Sequence, residues 1–231
     1  MERTEIMHLH RDGLVFKAKE IGPMSFYGLR QTDYGEGFRM PTFSEIIKLT
    51  LGALENIGYD TAKNVIRILE SSSLTGNTGV LYVPEGMWVQ DNPRLEDGRI
   101  VMDKDELERK LGSRKKRDVV FSKDGAVRFV RGRYDIGEVK THSQFERNPG
   151  IIALCGGEEN VERLSVISKH YPGLPSFFAL DDSNPHETVT DFGTYVSPDS
   201  DKEGVVVDAT TYGDHDKRFT FAVKENTKRK K

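Results

Sequence analysis

A glycine-rich stretch, residues 27–39, contains the side-chain types that bind small anions and transfer protons. Its candidate ligand-binding residues are Arg30, Tyr34 and Arg39, and its candidate catalytic residues are Asp33 and Glu36. A guanidinium group binds carboxylate or phosphate oxygens through paired hydrogen bonds, a tyrosine ring offers a stacking face, and a carboxylate can act as a general acid or base. These residues predict an anion site at this loop, and a plain connecting loop is the alternative.

Further candidate sites lie elsewhere in the chain. His142 follows Arg131 and Arg133, and as a third catalytic candidate it could serve phosphate or carboxylate chemistry. The candidate metal ligands are Asp199, Asp201, Asp214, His215 and Asp216. Residues 199–204 match the first half of a calcium-binding loop, but Thr210 stands where that loop needs a bidentate glutamate. Solvated turns are the alternative at both metal candidates, and no cofactor is indicated.

Several motifs of common enzymes do not occur in the sequence. It has no P-loop, no dinucleotide-binding glycine motif, no zinc-protease motif and no nucleophile elbow, which disfavours those classes. Cys155 is the single cysteine, so an internal disulfide is impossible. Gly156 and Gly157 open a helix, but two glutamates fill its first turn and would repel a phosphate. Whether the protein is an enzyme is left open.

Two amphipathic helices follow the glycine-rich loop and must hold it in place. Thr42 and Glu45 have the spacing of a capping box, which predicts a helix start directly after the loop. Apolar residues then recur at helical spacing as far as Leu69, on both sides of a short turn at Gly58. A DNA-binding helix-turn-helix is the alternative, but it needs a third helix and a basic surface. We therefore interpret the pair as a scaffold that anchors the loop.

The other segments predict a sheet. Strands are expected at 13–21, 26–29, 79–83, 87–90, 99–102, 118–122, 126–131, 151–155, 176–180, 205–208 and 219–223, with a polar turn at 71–79. Ile151–Cys155, a helix at 158–170 and the strand at 176–180 are expected to form a β-α-β unit, and the last two strands a hairpin. The predicted class is α+β or mixed α/β, a multi-strand sheet with β-hairpins and three to four packed helices.

Composition limits the domain organisation and the compartment. A single domain is expected over residues 1–223, with any boundary near 113–117, and a disordered basic tail over 224–231. The N-terminus lacks the apolar core of a signal peptide, and no apolar run approaches the roughly 18 residues of a membrane span. The sequence therefore predicts a cytoplasmic protein that does not enter membranes.

These features predict a cytosolic protein that binds a small-anion or nucleotide-type ligand at the loop 27–39. The alternative is an interaction module that binds nucleic acid or an acidic partner through its basic run, Arg114 to Arg117, and its basic tail. A net charge of −3 disfavours nucleic acid as the partner of the whole chain. A third interpretation is an assembly subunit without chemistry of its own, and the oligomeric state is not predicted.

Overall fold

The computed structural model describes residues 6–9, 13–97, 99–132, 137–138, 141–180, 186–196 and 201–226. The helices in these residues are α1 Phe26–Gln31, α2 Phe43–Glu55, α3 Asp60–Ser71, α4 Lys104–Lys110, α5 His142–Arg147, α6 Pro149–Cys155 and α7 Glu158–Ser168. The strands are β1 Ile6–Leu9, β2 Leu14–Met24, β3 Ser73–Val83, β4 Gly86–Asp91, β5 Arg94–Glu96, β6 Arg99–Val101, β7 Leu111–Lys116, β8 Val119–Ser122, β9 Val127–Arg131, β10 Gly137–Glu138, β11 Ser176–Phe178, β12 His186–Val196, β13 Glu203–Thr211 and β14 Arg218–Glu225. The predicted mixed α/β class is confirmed.

Most strands join one mixed sheet. Its main path runs β10-β11-β13-β12-β3-β4-β9-β8-β7, while β14 pairs with β2 and β3, and β1 pairs with β2. Two pairs are parallel, β11 with β13 and β14 with β3, and the other neighbours are antiparallel. Strand β3 is central, because β12 pairs with one of its edges while β14 and then β4 pair with the other. Strands β5 and β6 form a separate hairpin.

Each face of the sheet carries its own apolar core, because side chains alternate between the two faces of a strand. Val80 and Tyr82 of β3 pack with the inner sides of α2, α3, α6 and α7. Leu81 and Val83, one residue along, pack with α1, α4 and the β5–β6 hairpin. The sheet is therefore sandwiched between a layer of helices and a thinner mixed layer. None of the helices among the described residues is long and apolar enough to cross a membrane.

The predicted polar turn at residues 71–79 is wrong, since residues 73–79 are seven of the eleven residues of β3. Its side chains Thr75, Asn77 and Thr78 are buried, and each has a partner inside the protein. The Thr75 hydroxyl donates to Asp191 of β12, and the Thr78 hydroxyl donates to Asp91 of β4 at 2.7 Å. A polar composition was mistaken for solvent exposure, because cross-strand partners far along the chain cannot be seen in the local sequence.

Two other predicted strands are helices. Residues 26–29 lie in α1, where the Ser25 hydroxyl accepts the Gly28 N–H at 3.1 Å and begins the helix. Ile151–Cys155 lies in α6, which Asn148 caps by accepting the Gly150 N–H at 2.8 Å and which ends at Gly156 in the left-handed region. This helix is apolar on every side because all of it is buried, so its sequence lacks the helical period that exposed helices show.

The predicted β-α-β unit at residues 151–180 is therefore replaced by α6, α7 and β11. The predicted final hairpin is also wrong, because β13 pairs with β11 and β12, whereas β14 pairs with β2 and β3. Residues 113–117 continue β7 into the turn before β8, within the same sheet. Strand β14 extends to Glu225, so the predicted tail begins inside a strand, and residues 227–231 lie outside the described residues.

The helix pair is confirmed. Thr42 and Glu45 form the capping box at the start of α2. The Phe43 N–H also donates to the Thr78 hydroxyl at 3.0 Å, which fixes the start of α2 to the middle of β3. Gly76 permits this approach, because a Cβ there would lie 2.4 Å from the Phe43 nitrogen. Helix α2 ends at Glu55 and α3 begins at Asp60, so Gly58 lies in the turn between them.

Candidate functional site

The predicted ligand-binding side chains of the loop 27–39 already have partners within the protein. Arg30 donates from Nη2 to the carbonyl of Pro93 at 3.0 Å, and burial lowers the pKa of its guanidinium group. Tyr34 is buried and donates its hydroxyl to the carbonyl of Leu29 at 2.7 Å, and burial raises the pKa of this hydroxyl. Both contacts tie α1 to its surroundings, although the buried Nε of Arg30 has no hydrogen-bond partner among the described residues.

Arg39 belongs to the cap of α2. Its two terminal nitrogens each lie 2.7 Å from an oxygen of Glu45, and Glu45 also accepts the backbone N–H of Thr42 at 2.8 Å. Burial alone would raise the pKa of Glu45, but the bonds from Arg39 and Thr42 outweigh it and lower the pKa. The arginine that the sequence offered to a ligand is therefore used to hold the start of the helix.

The predicted catalytic carboxylates of the loop lie apart from these arginines. Asp33 accepts the Gly35 N–H at 2.8 Å in a local turn, and Glu36 is exposed. None of the hydrogen bonds or ion pairs among the described residues joins either carboxylate to Arg30 or Arg39. The charged groups of the loop are therefore close in sequence, but the structure does not bring them together at one point.

His142 begins α5 and contacts a serine. Its Nδ1 lies 3.1 Å from the hydroxyl oxygen of Ser168, which is fully buried. That hydroxyl also lies 2.9 Å from the carbonyl of Ser165, and while it donates there it can only accept from His142. A serine nucleophile needs the opposite direction, in which the imidazole accepts the serine proton. The contact therefore fastens α5 to α7 and does not activate the serine.

The metal candidates within the described residues do not form a cluster. Asp199 lies outside the described residues, and Asp201 stands in a turn with a φ of 50°. The segment containing Asp214, His215 and Asp216 connects β13 to β14. Among the described residues, no group of three or more His, Cys, Asp or Glu side chains is placed to hold a metal ion.

A buried ion pair holds the connection between β13 and β14. Arg218 donates from Nε to both carboxylate oxygens of Asp191, at 2.8 and 2.9 Å, and from Nη1 to the carbonyl of His215 at 2.6 Å. Its Nη2 donates to the carbonyl of Tyr212 at 2.9 Å. The backbone of this connection then packs on α1, since Gly213 accepts the Phe26 N–H at 3.0 Å. The backbone carbonyls of the connection thus surround a structural arginine.

A cleft of about 650 Å³ opens elsewhere, between the end of α4 and the adjoining ends of β4, β8 and β9. Its lining residues are Gln90, Asp91, Lys110, Ser122, Lys123, Asp124, Ala126 and Val127. The volume is in the range of small-molecule sites, which are commonly about 300–1,000 Å³. Three strand ends and a turn supply nearly all of the lining, so the sheet fixes the shape of this cleft.

The two carboxylates of the cleft are occupied. Asp124 accepts the Ser122 hydroxyl at 2.6 Å and the Ala126 N–H at 3.0 Å, and these bonds lower its pKa. Asp91 accepts the Thr78 hydroxyl at 2.7 Å and lies 2.7 Å from Nη2 of Arg128. Both carboxylates therefore have partners within the protein, and neither needs a ligand for compensation.

The two lysines of the cleft differ. Lys110 lies 2.6 Å from the carboxylate of Glu106, one turn earlier in α4. Lys123 is exposed in the turn between β8 and β9 and makes no ion pair with a described residue. Gln90 adds an amide that can donate and accept hydrogen bonds. The unpaired cation and the amide are the groups that this cleft offers to a ligand.

Arg128 lies on the helix-facing side of β9, next to the cleft. It is 1% exposed, and neither its Nε nor its Nη2 has a hydrogen-bond partner among the described residues, although Nη2 forms the ion pair with Asp91. Its Nη1 approaches Gly156, where an added Cβ would lie 2.8 Å away. The buried guanidinium therefore depends on one carboxylate and on the end of α6, where carbonyl groups favour a cation.

The sequence does not reveal the cleft because its lining residues belong to separate predicted strands, a turn and a helix. The Asp91 region and the Lys123–Gly125 turn are both typical connection sequences. One pattern in the sequence does point to the cleft. Arg128 stands at an inward-facing position of an apolar strand, between Val127 and Phe129, and a buried arginine requires a carboxylate nearby.

Comparison with known proteins gives the fold. No protein-family model and no curated protein matches the sequence. One solved structure, described as a C-type lectin fold that accommodates massive sequence variation in Nanoarchaeota, is 18% identical in sequence. The match covers 96% of this chain and 99% of the solved chain, with a TM-score of 0.56. At this identity the likeness carries the architecture alone. The chain therefore has a C-type lectin-like fold.

Proposed function

We propose that this chain is a cytoplasmic protein that binds a small anionic ligand in the cleft between α4 and the ends of β4, β8 and β9. The observation that carries the proposal is the pairing of a concave site of about 650 Å³ with Lys123, a cation without an ion-pair partner among the described residues. The single buried cysteine, Cys155, suits a reducing compartment. The proposal covers binding and assigns no reaction.

Charge balance in the cleft favours an anion. Asp91 and Asp124 are each held by hydrogen bonds, so neither presents an unpaired negative charge. Lys123 can turn towards a bound carboxylate or phosphate, and Gln90 can donate a second hydrogen bond from the opposite strand. Lys110 adds a second positive charge whose ion pair with Glu106 is surface-exposed and therefore weak.

The cleft is a better location than the loop 27–39, which the sequence favoured. At that loop, an anion would have to replace the contact of Arg30 with Pro93 or the two bonds of Arg39 with Glu45. Releasing Arg39 would also leave Glu45, which is largely buried, without its cation, at a cost of about 1–3 kcal/mol. A ligand at the cleft breaks neither contact.

A thermal-shift screen tests the proposal with nucleoside monophosphates, sugar phosphates and citrate as probes. A probe present at a hundred times its Kd stabilises the folded state by about 2.7 kcal/mol, which corresponds to a rise in Tm of roughly 5–10 °C for a domain of this size. The variant Lys123→Ala should raise the Kd of that probe at least about tenfold, since it removes a charge-assisted contact.

Two controls locate the site. Lys19→Ala removes an exposed lysine from β2, away from the cleft, and should leave the Kd unchanged. Arg30→Ala alters the loop 27–39 and should also leave the Kd unchanged. If Arg30→Ala abolished the shift while Lys123→Ala did not, the site would lie at the loop. If no probe shifted the Tm, small-anion binding would be wrong.

A further inference from the structure

Strand β7 forms one end of the main sheet and carries the basic run of the sequence. It pairs with β8 alone, so its other edge faces no strand among the described residues. Residues 112–117 are all exposed, and four consecutive residues, Arg114 to Arg117, are cationic. The strand therefore combines unpaired backbone groups with a concentration of positive charge.

The cations of this edge are only loosely held. Lys115 lies 3.2 Å from Asp118, and Lys116 and Arg117 both contact Glu158 at the start of α7. The lysine and arginine side chains in these pairs are 50–62% exposed. Exposed ion pairs contribute at most about 1 kcal/mol each, so another carboxylate can replace Asp118, which is 75% exposed, at little cost.

Arg114 is placed differently from its neighbours. Its guanidinium group lies 5.0 Å from the centre of the Phe121 ring, on the adjacent strand β8. The ring contact does not use the N–H groups of Arg114, and Arg114 has no carboxylate partner among the described residues. Its N–H groups can therefore bind an incoming anion. Along the strand, Arg114 and Lys116 lie on the side of the helices, and Lys115 lies on the opposite side, since residues alternate.

We propose that β7 binds an acidic peptide segment of another protein as an added antiparallel or parallel strand. Such a peptide meets the unpaired backbone groups through main-chain hydrogen bonds, and its carboxylates meet cations on both sides of the strand. A second copy of this chain does not fit, because two basic edges repel each other, which is how charged edges prevent self-association. A nucleic acid offers charge but no strand backbone.

The probe is a fluorescent synthetic peptide that alternates glutamate and threonine, followed by fluorescence anisotropy at low salt. Lys115→Glu should weaken its binding at least about tenfold, since it replaces an attraction by a repulsion. The matched control is Lys63→Glu in α3, because Lys63 is similarly exposed and likewise pairs with an aspartate three residues away. That control should bind the peptide as the unchanged protein does.

Hydrogen–deuterium exchange on the complex tests whether a strand is added. Binding as a strand should slow exchange of the backbone amides of residues 111–117, whereas contact through side chains alone should leave them unprotected. Unprotected amides, equal weakening by Lys63→Glu, or tighter binding of double-stranded DNA than of the peptide would each overturn the proposal. The cleft proposal is tested by Lys123→Ala with small anions, so either proposal can fail without the other.

Discussion

Asp91 and Arg128 form a buried ion pair beneath the cleft, and loss of either partner alone should destabilise the protein. The perturbation is Asp91→Asn, which keeps an acceptor for the Thr78 hydroxyl but removes the charge that faces Arg128. The arginine side chain is 1% exposed, and its Nε already lacks a hydrogen-bond partner among the described residues. Removal of the carboxylate charge therefore leaves the guanidinium group without its charged partner.

The size of the effect follows from burial. Removing one partner of a fully buried ion pair costs about 3–5 kcal/mol, because the remaining charge is left without compensation. Asp91 is 14% exposed at the cleft, so some water can approach the guanidinium group that has lost its charged partner. We expect a loss near the lower limit, about 3 kcal/mol. In Asp91→Asn/Arg128→Met both charges are absent, and most of that loss should be recovered.

Urea unfolding of the four proteins in this double-mutant cycle measures the coupling. The unfolding midpoint of Asp91→Asn should fall at an unchanged m-value, and the double variant should unfold at higher urea than Asp91→Asn. The expected coupling between the two residues is about 2 kcal/mol. A loss below about 1 kcal/mol for Asp91→Asn, or strictly additive effects, would refute the assignment of this pair as a buried, interdependent unit.

The cap of α2 and the glycine beneath it give two further predictions. Glu45→Gln should cost about 1 kcal/mol at pH 7, because Arg39 is 43% exposed and the pair is partly screened. The folded-state pKa of Glu45 is lowered, so the stability that its carboxylate contributes is present above the unfolded-state pKa and is lost as pH falls through the folded-state value. The Tm values of the unchanged protein and Glu45→Gln should therefore converge in acid. Tm values that stay apart in acid would contradict the sign of this shift. Gly76→Ala should lower the Tm strongly, since its Cβ would lie 2.4 Å from the Phe43 nitrogen. The Tm is measured by circular dichroism melting, and an unchanged Tm would contradict this prediction.

Much of the fold could be predicted because local chemistry decides it. The start of α2, the start of α4 at Asp103 and the hairpin of β8 and β9 all follow from caps and turn residues within a few positions of each other. Helix α6 could not be predicted, because it is buried on every side and shows no period. Strand β3 could not be predicted either, because the partners of its polar side chains lie on β4 and β12.

The candidate site was harder to predict for a related reason. Residues 27–39 collect charged side chains in sequence, but Arg39 binds Glu45 and Tyr34 binds Leu29, so much of that chemistry is used in folding. The cleft instead collects residues from β4, α4 and the turn after β8, which are far apart in sequence. Only the order of strands in the sheet brings Gln90 next to Val127. A pattern confined to one stretch of sequence cannot show such a site.

The central claim is tested most directly by NMR. Amide chemical shifts are mapped while the protein is titrated with the anion that gives the largest thermal shift. Our account predicts that the largest changes occur at Gln90, Asp91 and residues 122–127, which line the cleft, and that Lys123→Ala weakens them in parallel with affinity. Changes concentrated at residues 27–39, with the cleft unaffected, would contradict the account and return the site to the glycine-rich loop.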